Sequence, residues 1–523
     1  MKERILEKEY WYGTCVKYGV IMPLHAGSEC TLDFSTNETP NQAMPVMISS
    51  KGRYLWRGTG FKITFHLGVM EFPDDVILKE GYHHLKGAYL AAMQSYFPFH
   101  QKTPSKKLFS RIIYCTWIEL TFHQNQKDIL AYAQNILNHG MPAGVLIIDD
   151  GWAEYYGDWR FHSGRFPDAK KMMECLHEMG FEVMLWVSPY ISADTLAYRE
   201  ALSQDLLIKQ ENGETYITKW WNGYSAVLDM TNDRAQEWFG RQLRELQAMG
   251  VDGFKFDGGD SIYYREDNIT AIKVSPDEHS NLWAKFGEQF EFNEYRASVF
   301  AGGYGLLQRL CDKDHSWGHN GIDSLIPDIL LQGLTGHPFG CPDMIGGGEY
   351  VNFWEAAESN FDQELFVRHC EIACLMPAIQ FSAAPFRVLS EDNFGLILQS
   401  LEFRKQYLSE ILDYIELAAK TGEPAIRYMS YEFPEEPVEC IIDQFMLGES
   451  LLVAPVYQKN CNKREVYLPK GTWKSGNEII ESKGEKAVWK SVPGCPLVFK
   501  RQTEGQKNRA GDGNRTHVSS LEG

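Results

Sequence analysis

The chain has 523 residues, 44% of them hydrophobic and 23% charged, an ordinary balance for a globular protein of about three domains. The formal net charge of −19 argues against nucleic acid or an anionic membrane as a partner, since both require a basic surface. The negative charge therefore favours a neutral ligand. Aromatic residues make up 13% of the chain, enough to furnish the stacking surfaces that sugars favour.

The first residues and the cysteines bear on the cellular location of the protein. Residues 1–9 are charged, unlike a signal peptide, and no run of about 18 apolar residues is present to span a bilayer. The 11 cysteines contain no C-x-x-C pair, and we interpret them as reduced core thiols. We therefore expect a cytoplasmic protein without a membrane partner.

The first part of the chain has the pattern of β structure. From Cys15 to about Ser105, short alternating segments are broken by glycine, proline and asparagine. Such a pattern is typical of antiparallel strands. It predicts an N-terminal β-sandwich-like domain over residues 1–105.

Residues 106–400 instead alternate apolar strands with amphipathic helices. Strands are predicted at 112–117, 144–150, 181–188, 250–257 and 376–382, and helices at 126–138, 167–179, 232–249, 265–290 and 325–334. This alternation requires a parallel sheet, because each crossover returns the chain to the same edge. The predicted fold class is therefore α/β, a (β/α)8 TIM barrel.

The remaining residues predict a smaller unit and a tail. A linking helix at 401–420 and strand segments after it predict a C-terminal β domain, so that this region spans 401–501. Residues 502–523 are rich in glycine and arginine and lack apolar periodicity. They predict a disordered tail.

Polar and aromatic residues stand where the predicted barrel strands end. They are Trp117, Asp149, Asp150, Trp186 and Asp257. In an α/β barrel the carboxyl ends of the strands converge on one mouth, where catalytic residues lie. Each residue alone has a structural interpretation, since an Asp can cap the next helix and a strand-end Trp more often belongs to the core. Their joint occurrence at successive strand ends favours a functional site.

The sequence lacks the motifs of common cofactor and metal sites. The glycine-rich loop 301–305 does not contain the phosphate-binding pattern G-x-x-x-x-G-K-[ST]. His315 and His319 have the spacing of a helical metal clamp, but neither H-E-x-x-H nor H-x-H accompanies them. We therefore expect no cofactor and no metal.

Two carboxylates at a barrel mouth, with aromatic walls, indicate glycoside hydrolysis, which uses one carboxylate as nucleophile or base and the other as proton donor. Several motifs point to one family: DGFKFD at 252–257, RAS at 296–298, Asp312, DMIGG at 343–347 after Gly336, and QFMLGESLLVAPV at 444–456. Together they cover most of residues 40–475. On these motifs the chain resembles glycoside hydrolase family 31, a family of retaining α-glycosidases.

The resemblance implies roles for individual residues. Asp257 matches the nucleophile, and Asp312 matches the acid/base because family members carry an arginine, here Arg296, sixteen residues before it. Asp314, two residues further on, is the alternative acid/base. Asp260 matches an acidic residue beside the nucleophile. The implied sugar-binding residues are Asp149, Asp150, Trp186, Trp221, Lys255, Arg296 and Asp343.

The chain also departs from the well-known α-glucosidases of that family. Lys255 stands where they carry tryptophan, the segment Gly258 to Asp260 replaces Met-Asn-Glu, and residues 381–385 replace a segment with histidine. An ammonium donates hydrogen bonds where an indole mainly packs, so a different hydroxyl pattern is expected. Lys255 with the DDGW segment at 149–152 is similar to α-galactosidases of related barrel families.

The expected substrate is therefore an oligosaccharide or glycoside with a terminal α-linked sugar, with α-galactoside as the first choice. An α-glucosidase or α-xylosidase of the same family, a non-catalytic carbohydrate-binding protein and a metal-dependent barrel hydrolase are the alternatives. The sequence leaves open whether the chain forms a homo-oligomer.

Overall fold

A computed structural model describes residues 1–354, 361–502 and 515–517, the last for the backbone alone. At its centre is a nine-stranded sheet in which every neighbouring pair is parallel. In chain order its strands are Ile113–Cys115, Val145–Ile148, Glu182–Val187, Gly253–Phe256, Phe292–Tyr295, Gln308–Arg309, Gly340–Cys341, Met344–Ile345 and Gln380–Phe381. The predicted parallel sheet is confirmed.

The two edges of this sheet are formed by consecutive pieces of chain. Gly340–Cys341 lies at one edge and Met344–Ile345 at the other, and only Pro342 and Asp343 separate them. The three steps from Cys341 to Met344 span at most about 11 Å in an extended chain. The sheet must therefore curve round until its edges are close together.

Helices alternate with these strands, as predicted. They are Gln126–Asn138, Ala169–Glu178, Leu196–Ser203, Asp233–Ala248, Pro276–Gly287, Leu325–Leu334, Gln363–Ala373 and Glu391–Thr421, with short helices at Lys107–Ser110, Trp117–Leu120, Val351–Trp354, Pro385–Val388 and Met429–Glu432 and 3-10 turns at Val16–Ile21, Ser261–Tyr263 and Ile322–Ser324. Capping side chains fix several of the starts. Asn125 accepts the amide hydrogen of Asp128, and Ser275 forms a reciprocal cap with Glu278.

The N-terminal region contains two antiparallel sheets. One consists of Lys2–Arg4, Cys30–Asp33, Lys62–His66 and Val69–Glu71, and the other of Tyr10–Cys15, Leu24–His25, Ala43–Ser49, Tyr54–Trp56 and Ile77–Lys79. A helix at Leu85–Tyr96 was not predicted. Its buried residues recur at the helical spacing, a signal that the surrounding β pattern obscured.

Two antiparallel additions emerge beyond the parallel strands, and neither was predicted. A hairpin pairs Ala153–Tyr155 with Asp158–Phe161, and a three-stranded sheet combines Tyr190–Ile191, Ile217–Trp220 and Gly223–Val227. Both follow directly after barrel strands, so they extend the carboxyl-terminal side of the parallel sheet.

The C-terminal region follows a long helix, and its strands pair antiparallel except for Glu478–Ser482 with Arg515–His517, which are parallel. One sheet contains Ile426–Arg427, Phe445–Leu447, Leu451–Ala454, Gly471–Ser475, Glu478–Ser482, Leu497–Arg501 and Arg515–His517, and a separate pair joins Lys463–Leu468 to Glu485–Lys490. The helix Glu391–Thr421 begins ten residues before the predicted position and ends at Gly422, whose φ is +74°. The predicted disordered tail lies outside the described residues, apart from Gln502 and the strand Arg515–His517.

The structure describes the state of the cysteines and the length and polarity of the helices. All 11 cysteines are free thiols, and Cys370 and Cys374 are buried as predicted, but Cys440 is exposed and is not a core residue. Within the described part of the chain, none of the helices has the length and apolar character that crossing a bilayer demands.

Candidate active site

A cavity of about 440 Å³ opens at the carboxyl ends of the parallel strands, a volume typical of small-molecule sites. The strands place side chains there directly, because Asp149, Asp257 and Arg296 each follow the last residue of a strand. The cavity is lined by Glu38, Pro40, Trp117, Asp149, Asp150, Trp186, Trp221, Lys255, Asp257, Asp260, Ile262, Tyr263, Arg296, Cys311, Asp312, Gly348, Glu349 and Tyr350. Every predicted site residue except Asp343 is in this set.

Asp257 is held by hydrogen-bond donors on both carboxylate oxygens. Oδ1 accepts from Arg296 Nε at 3.0 Å and from the amide of Gly258 at 2.9 Å, and Oδ2 accepts from Trp186 Nε1 at 3.0 Å. Burial opposes ionisation, but Arg296, Lys255 and Arg309 together hold the pKa of Asp257 well below its usual range. The side chain is therefore an oriented carboxylate at neutral pH.

The glycines after Asp257 allow the backbone to pass close to aromatic rings. Both Gly258 and Gly259 have positive φ, +66° and +70°. A Cβ on Gly258 would lie 2.6 Å from a ring carbon of Tyr190, and one on Gly259 would lie 2.4 Å from a ring carbon of Trp283. The Gly-Gly pair is thus required by both conformation and space.

Arg296 donates four hydrogen bonds, and its Nη2 also lies 3.0 Å from Asp257 Oδ1. Beyond its contacts to Asp257, the guanidinium makes a two-pronged pair with Asp260 at 2.9 and 3.0 Å and donates to the carbonyl of Pro40 at 2.9 Å. Its Cζ also lies 5.5 Å from the ring centre of Trp221. In this arrangement Arg296 orients Asp257, whereas the resemblance implied a direct contact with sugar.

The cavity also contains an ammonium and two further carboxylates. Lys255 Nζ donates to Asp149 Oδ2 at 2.7 Å, and both side chains are nearly fully buried. Asp150 accepts from Tyr156 Oη at 3.1 Å and from Asn222 Nδ2. Burial and the neighbouring Asp149 raise the pKa of Asp150 to about 7.

The structure distinguishes the two acid/base candidates by position. Asp312 lines the cavity with 40% of its side chain exposed, and Oδ1 accepts from Arg309 Nη1 at 2.7 Å. Asp314 does not line the cavity, and its backbone is bonded within the loop to Asn320 and Ser316. Burial favours the neutral form of Asp312, but Arg309, Lys255 and Arg296 lower its pKa. The placement supports Asp312.

Asp343 lies behind the cavity wall, unlike the expectation of a sugar contact. It is fully buried, and it accepts from Arg309 Nη1 at 2.6 Å and from the amides of Lys313 and Gly348 at 2.8 and 3.0 Å. Its φ of +73° is unusual for a residue with a side chain. The break between two barrel strands at this residue turns the carboxylate inward.

Sequence reasoning missed the residues that support the predicted ones. Arg309 ends a strand of only two residues, and Tyr156 and Asn222 lie in the turns of the unpredicted antiparallel additions. The two histidines with metal-like spacing have separate partners: His315 contacts the carbonyls of Gly346 and Asp362, and His319 pairs with Asp323. Among the described residues no group of three or more His, Cys, Asp or Glu side chains is arranged to hold a metal ion.

Comparisons with known proteins agree with this architecture. The family model for the glycosyl hydrolases family 31 TIM-barrel domain matches residues 107–391, and the model for the glycosyl hydrolase family 31 C-terminal domain matches residues 422–503. The chain therefore belongs to glycoside hydrolase family 31. The predicted TIM barrel and a C-terminal domain are confirmed, whereas the N-terminal sandwich stays a prediction.

Individual relatives differ in their named activities. The myogenesis-regulating glycosidase of Mus musculus is 34% identical over 394 residues, which are 73% of this chain and 55% of that protein. An alpha-xylosidase of Lactiplantibacillus pentosus is 23% identical and covers 84% of this chain and 59% of its own length. The chain thus spans little more than half the length of these curated relatives.

Solved structures share the fold at low sequence identity. A Flavobacterium johnsoniae GH31 dextranase, complexed with glucose, aligns with a TM-score of 0.81 at 20% identity, over 96% of this chain and 66% of that chain. A GH31 alpha-xylosidase from a soil metagenome, complexed with xylose, has a TM-score of 0.80 over 97% of this chain and 80% of its own.

The environment of Asp150 predicts pH-dependent sugar binding. With its pKa at about 7, Asp150 is a carboxylate above that pH and a neutral acid below it, and the ionised form accepts stronger hydrogen bonds. Affinity for a free monosaccharide, measured by calorimetry, should rise about fivefold from about pH 6 to about pH 8, equivalent to about 1 kcal/mol.

Two variants test this assignment. Asp150→Asn should bind weakly with no change over that pH range, because it has no proton to lose. Tyr156→Phe removes a donor that favours the carboxylate, so its transition should move to higher pH. An unchanged transition in Asp150→Asn would assign the titration to another group.

Proposed function

We propose that the protein is a retaining α-glycosidase that hydrolyses a terminal α-linked sugar through a covalent glycosyl-enzyme. The observation that carries the proposal is that Asp257 and Asp312 line the same cavity but differ in hydrogen bonding and exposure. Asp257 has hydrogen-bond donors on both oxygens, while Asp312 is partly exposed on a flanking loop. One carboxylate is held through both oxygens for attack, and the other has an exposed part that a leaving group can reach.

The chemistry follows from these positions. An oxygen of Asp257 bonds to the anomeric carbon as the bond to the glycosidic oxygen breaks, and Asp312 gives its proton to that oxygen. Water then attacks the anomeric carbon, Asp312 takes a proton from it, and Asp257 departs as a carboxylate. Arg296 and Trp186 favour that departure because their donors are aimed at the charge that returns.

The charge balance of the cavity favours a neutral sugar. Among the described residues, its lining includes seven carboxyl side chains and two cationic ones, Lys255 and Arg296. Both cations are already paired with aspartates. An anionic sugar would therefore enter a negative field without a free cation to receive it.

Within the neutral sugars, we propose an α-galactoside. Lys255, Asp149 and Asp150 provide hydrogen-bond donors and acceptors on one wall of the cavity. At position 255 the well-known α-glucosidases of the family have a tryptophan instead. An axial hydroxyl meeting this wall would gain a donor from Lys255 and an acceptor from Asp150. The names of relatives such as an alpha-glucosidase and an alpha-xylosidase favour the alternative substrates, and initial rates on a panel of nitrophenyl α-glycosides would separate them.

Removing Asp257 should abolish turnover without unfolding the chain. Asp257→Asn keeps the size of the side chain, and Asp260 remains to pair with Arg296. We expect kcat to fall by about 10⁴-fold or more, as for other covalent nucleophiles. Thermal unfolding should confirm the fold, and a fluorinated glycosyl donor should label Asp257 in the wild type. A folded variant with near-normal kcat would contradict the assignment.

Replacing the pair Lys255 and Asp149 together should change sugar selectivity. Lys255→Met alone would leave a buried carboxylate unpaired, so the informative variant is Lys255→Met with Asp149→Asn. We expect the ratio of kcat/KM for α-galactoside over α-glucoside to fall about tenfold or more, since sugar hydroxyls lose their partners. Equal losses on both substrates would show that the pair is structural.

The acid/base assignment predicts a dependence on the leaving group. Asp312→Ala should slow alkyl glycosides and disaccharides by about 10²-fold to 10⁴-fold, but aryl glycosides far less, because an aryl oxide leaves without protonation. Added azide should restore turnover of the aryl glycoside, since azide attacks the glycosyl-enzyme without a base. Asp314→Ala is the matched control and should lose little. Azide rescue of the Asp314 variant alone would reverse the assignment.

A further inference from the structure

A group of charges lies directly behind Asp312 and is shielded from solvent. Its centre is Arg309, whose side chain is 1% exposed. Arg309 contacts Asp312 and Asp343 through Nη1 and Glu294 through Nε, at 2.7, 2.6 and 3.2 Å. Of the three carboxylates only Asp312 faces the cavity, so the buried charges can act on substrate only through Asp312.

The nitrogen Nη1 of Arg309 has more acceptors than hydrogens. It carries two hydrogens, yet Asp312 Oδ1, Asp343 Oδ1 and the carbonyl of Leu310 lie within 3.0 Å of it. Asp312 and Asp343 therefore compete for one donor. If Asp312 turns toward the cavity, both hydrogens still have acceptors, so its departure leaves no buried donor unpaired.

The two steps of the proposed reaction place opposite demands on Asp312. It must carry a proton when the leaving oxygen departs, and it must be a carboxylate when water attacks. The pair with Arg309 suits the second step, because a cation favours the carboxylate. The first step requires that another anion take over the pairing with Arg309.

We propose that Asp343 is a positioning residue that shares one proton and the Arg309 pairing with Asp312, so that Asp312 can alternate between acid and base. This inference rests on the proposed glycosidase function. Before reaction, Asp312 and Asp343 hold one proton between them. Asp312 gives a proton to the glycosidic oxygen, both become carboxylates, and the proton taken from water restores the first state.

The charge of the site is the same before and after the first step. In the free enzyme Asp257 carries one negative charge and the Asp312/Asp343 pair carries one. In the glycosyl-enzyme Asp257 is a neutral ester and the pair carries two. Burial also raises the pKa of Asp343, the direction needed for a residue that holds a proton at neutral pH.

Other charged groups surround Asp312 and Asp343 and also influence how these two residues titrate. Lys255 and Arg296 lower the pKa of Asp312, and Glu349 lies on the cavity side near it. Glu294 shares Arg309 and also accepts from Gln380 at 2.7 Å. None of these other carboxylates accepts from Nη1 of Arg309 in the described part of the chain, so the competition is specific to Asp312 and Asp343.

The test compares two variants whose pH profiles should move in opposite directions. Asp343→Asn keeps the side-chain size and an oxygen for the Lys313 and Gly348 amides, but Arg309 then pairs more strongly with Asp312. In the pH profile of kcat/KM, the fall in activity at the basic side should therefore move about one pH unit lower; we call this fall the basic limb. Arg309→Met removes the cation, and the limb should shift to higher pH.

Leaving-group dependence supplies a second measurement. In Asp343→Asn, kcat/KM for an alkyl glycoside should fall about 10²-fold, while that for a nitrophenyl glycoside should change by less than about threefold. The matched control is Glu371→Gln, which breaks another buried pair, Arg368 to Glu371 at 2.8 Å, outside the cavity. Its pH limb should stay at the wild-type position.

The outcomes separate this inference from the proposed function. A wild-type protein without activity on any α-glycoside would remove both. An active wild type, with Asp343→Asn losing equally on both substrates and keeping the wild-type pH limb, would overturn only the role of Asp343. Shifts in the same direction for both variants would do the same. If Arg309→Met does not fold, the pH limb and leaving-group ratio of Asp343→Asn decide the matter.

Discussion

The ion pairs of Arg296 are the contacts on which the rest of the site depends. This residue follows one barrel strand and binds Asp257 and Asp260, which follow the neighbouring strand. Without the guanidinium, two adjacent carboxylates would be buried together, and one would have to take a proton. Asp257 would then no longer be held in its ionised form. The arginine therefore fixes both the geometry and the charge state of the proposed nucleophile.

The N-terminal region contributes to this arrangement through a short segment before its strand at Ala43–Ser49. Pro40 accepts from Arg296, and Gln42 donates to the carbonyls of Arg296 and Arg309. Asn41 accepts from the amide of Cys311 at 2.8 Å. These bonds join the segment that carries Arg296 to the segment that carries Asp312. The matched family domains begin at residue 107, so the site also depends on chain outside them.

How far the sequence predicts the site follows from the length of each element. Asp257 was predictable because a recognisable apolar strand precedes it and glycines follow it. The inward turn of Asp343 was not, since the strands on either side have two residues each, too few to show a period. The same limit applies to Arg309 at the end of a two-residue strand. Their roles depend on pairings between distant segments, which local pattern does not encode.

Lys255 shows why a change of sugar specificity in such a site involves more than one residue. Its ammonium is nearly buried, and Asp149 supplies the opposite charge at 2.7 Å. A tryptophan at 255 could not pair with that carboxylate, which would then be buried without its cation. Burial and, next to it, the charge on Asp149 raise the pKa of Asp150. The residue at 255 thus affects the proton content of the whole sugar-facing wall, and recognition is a property of the three residues together.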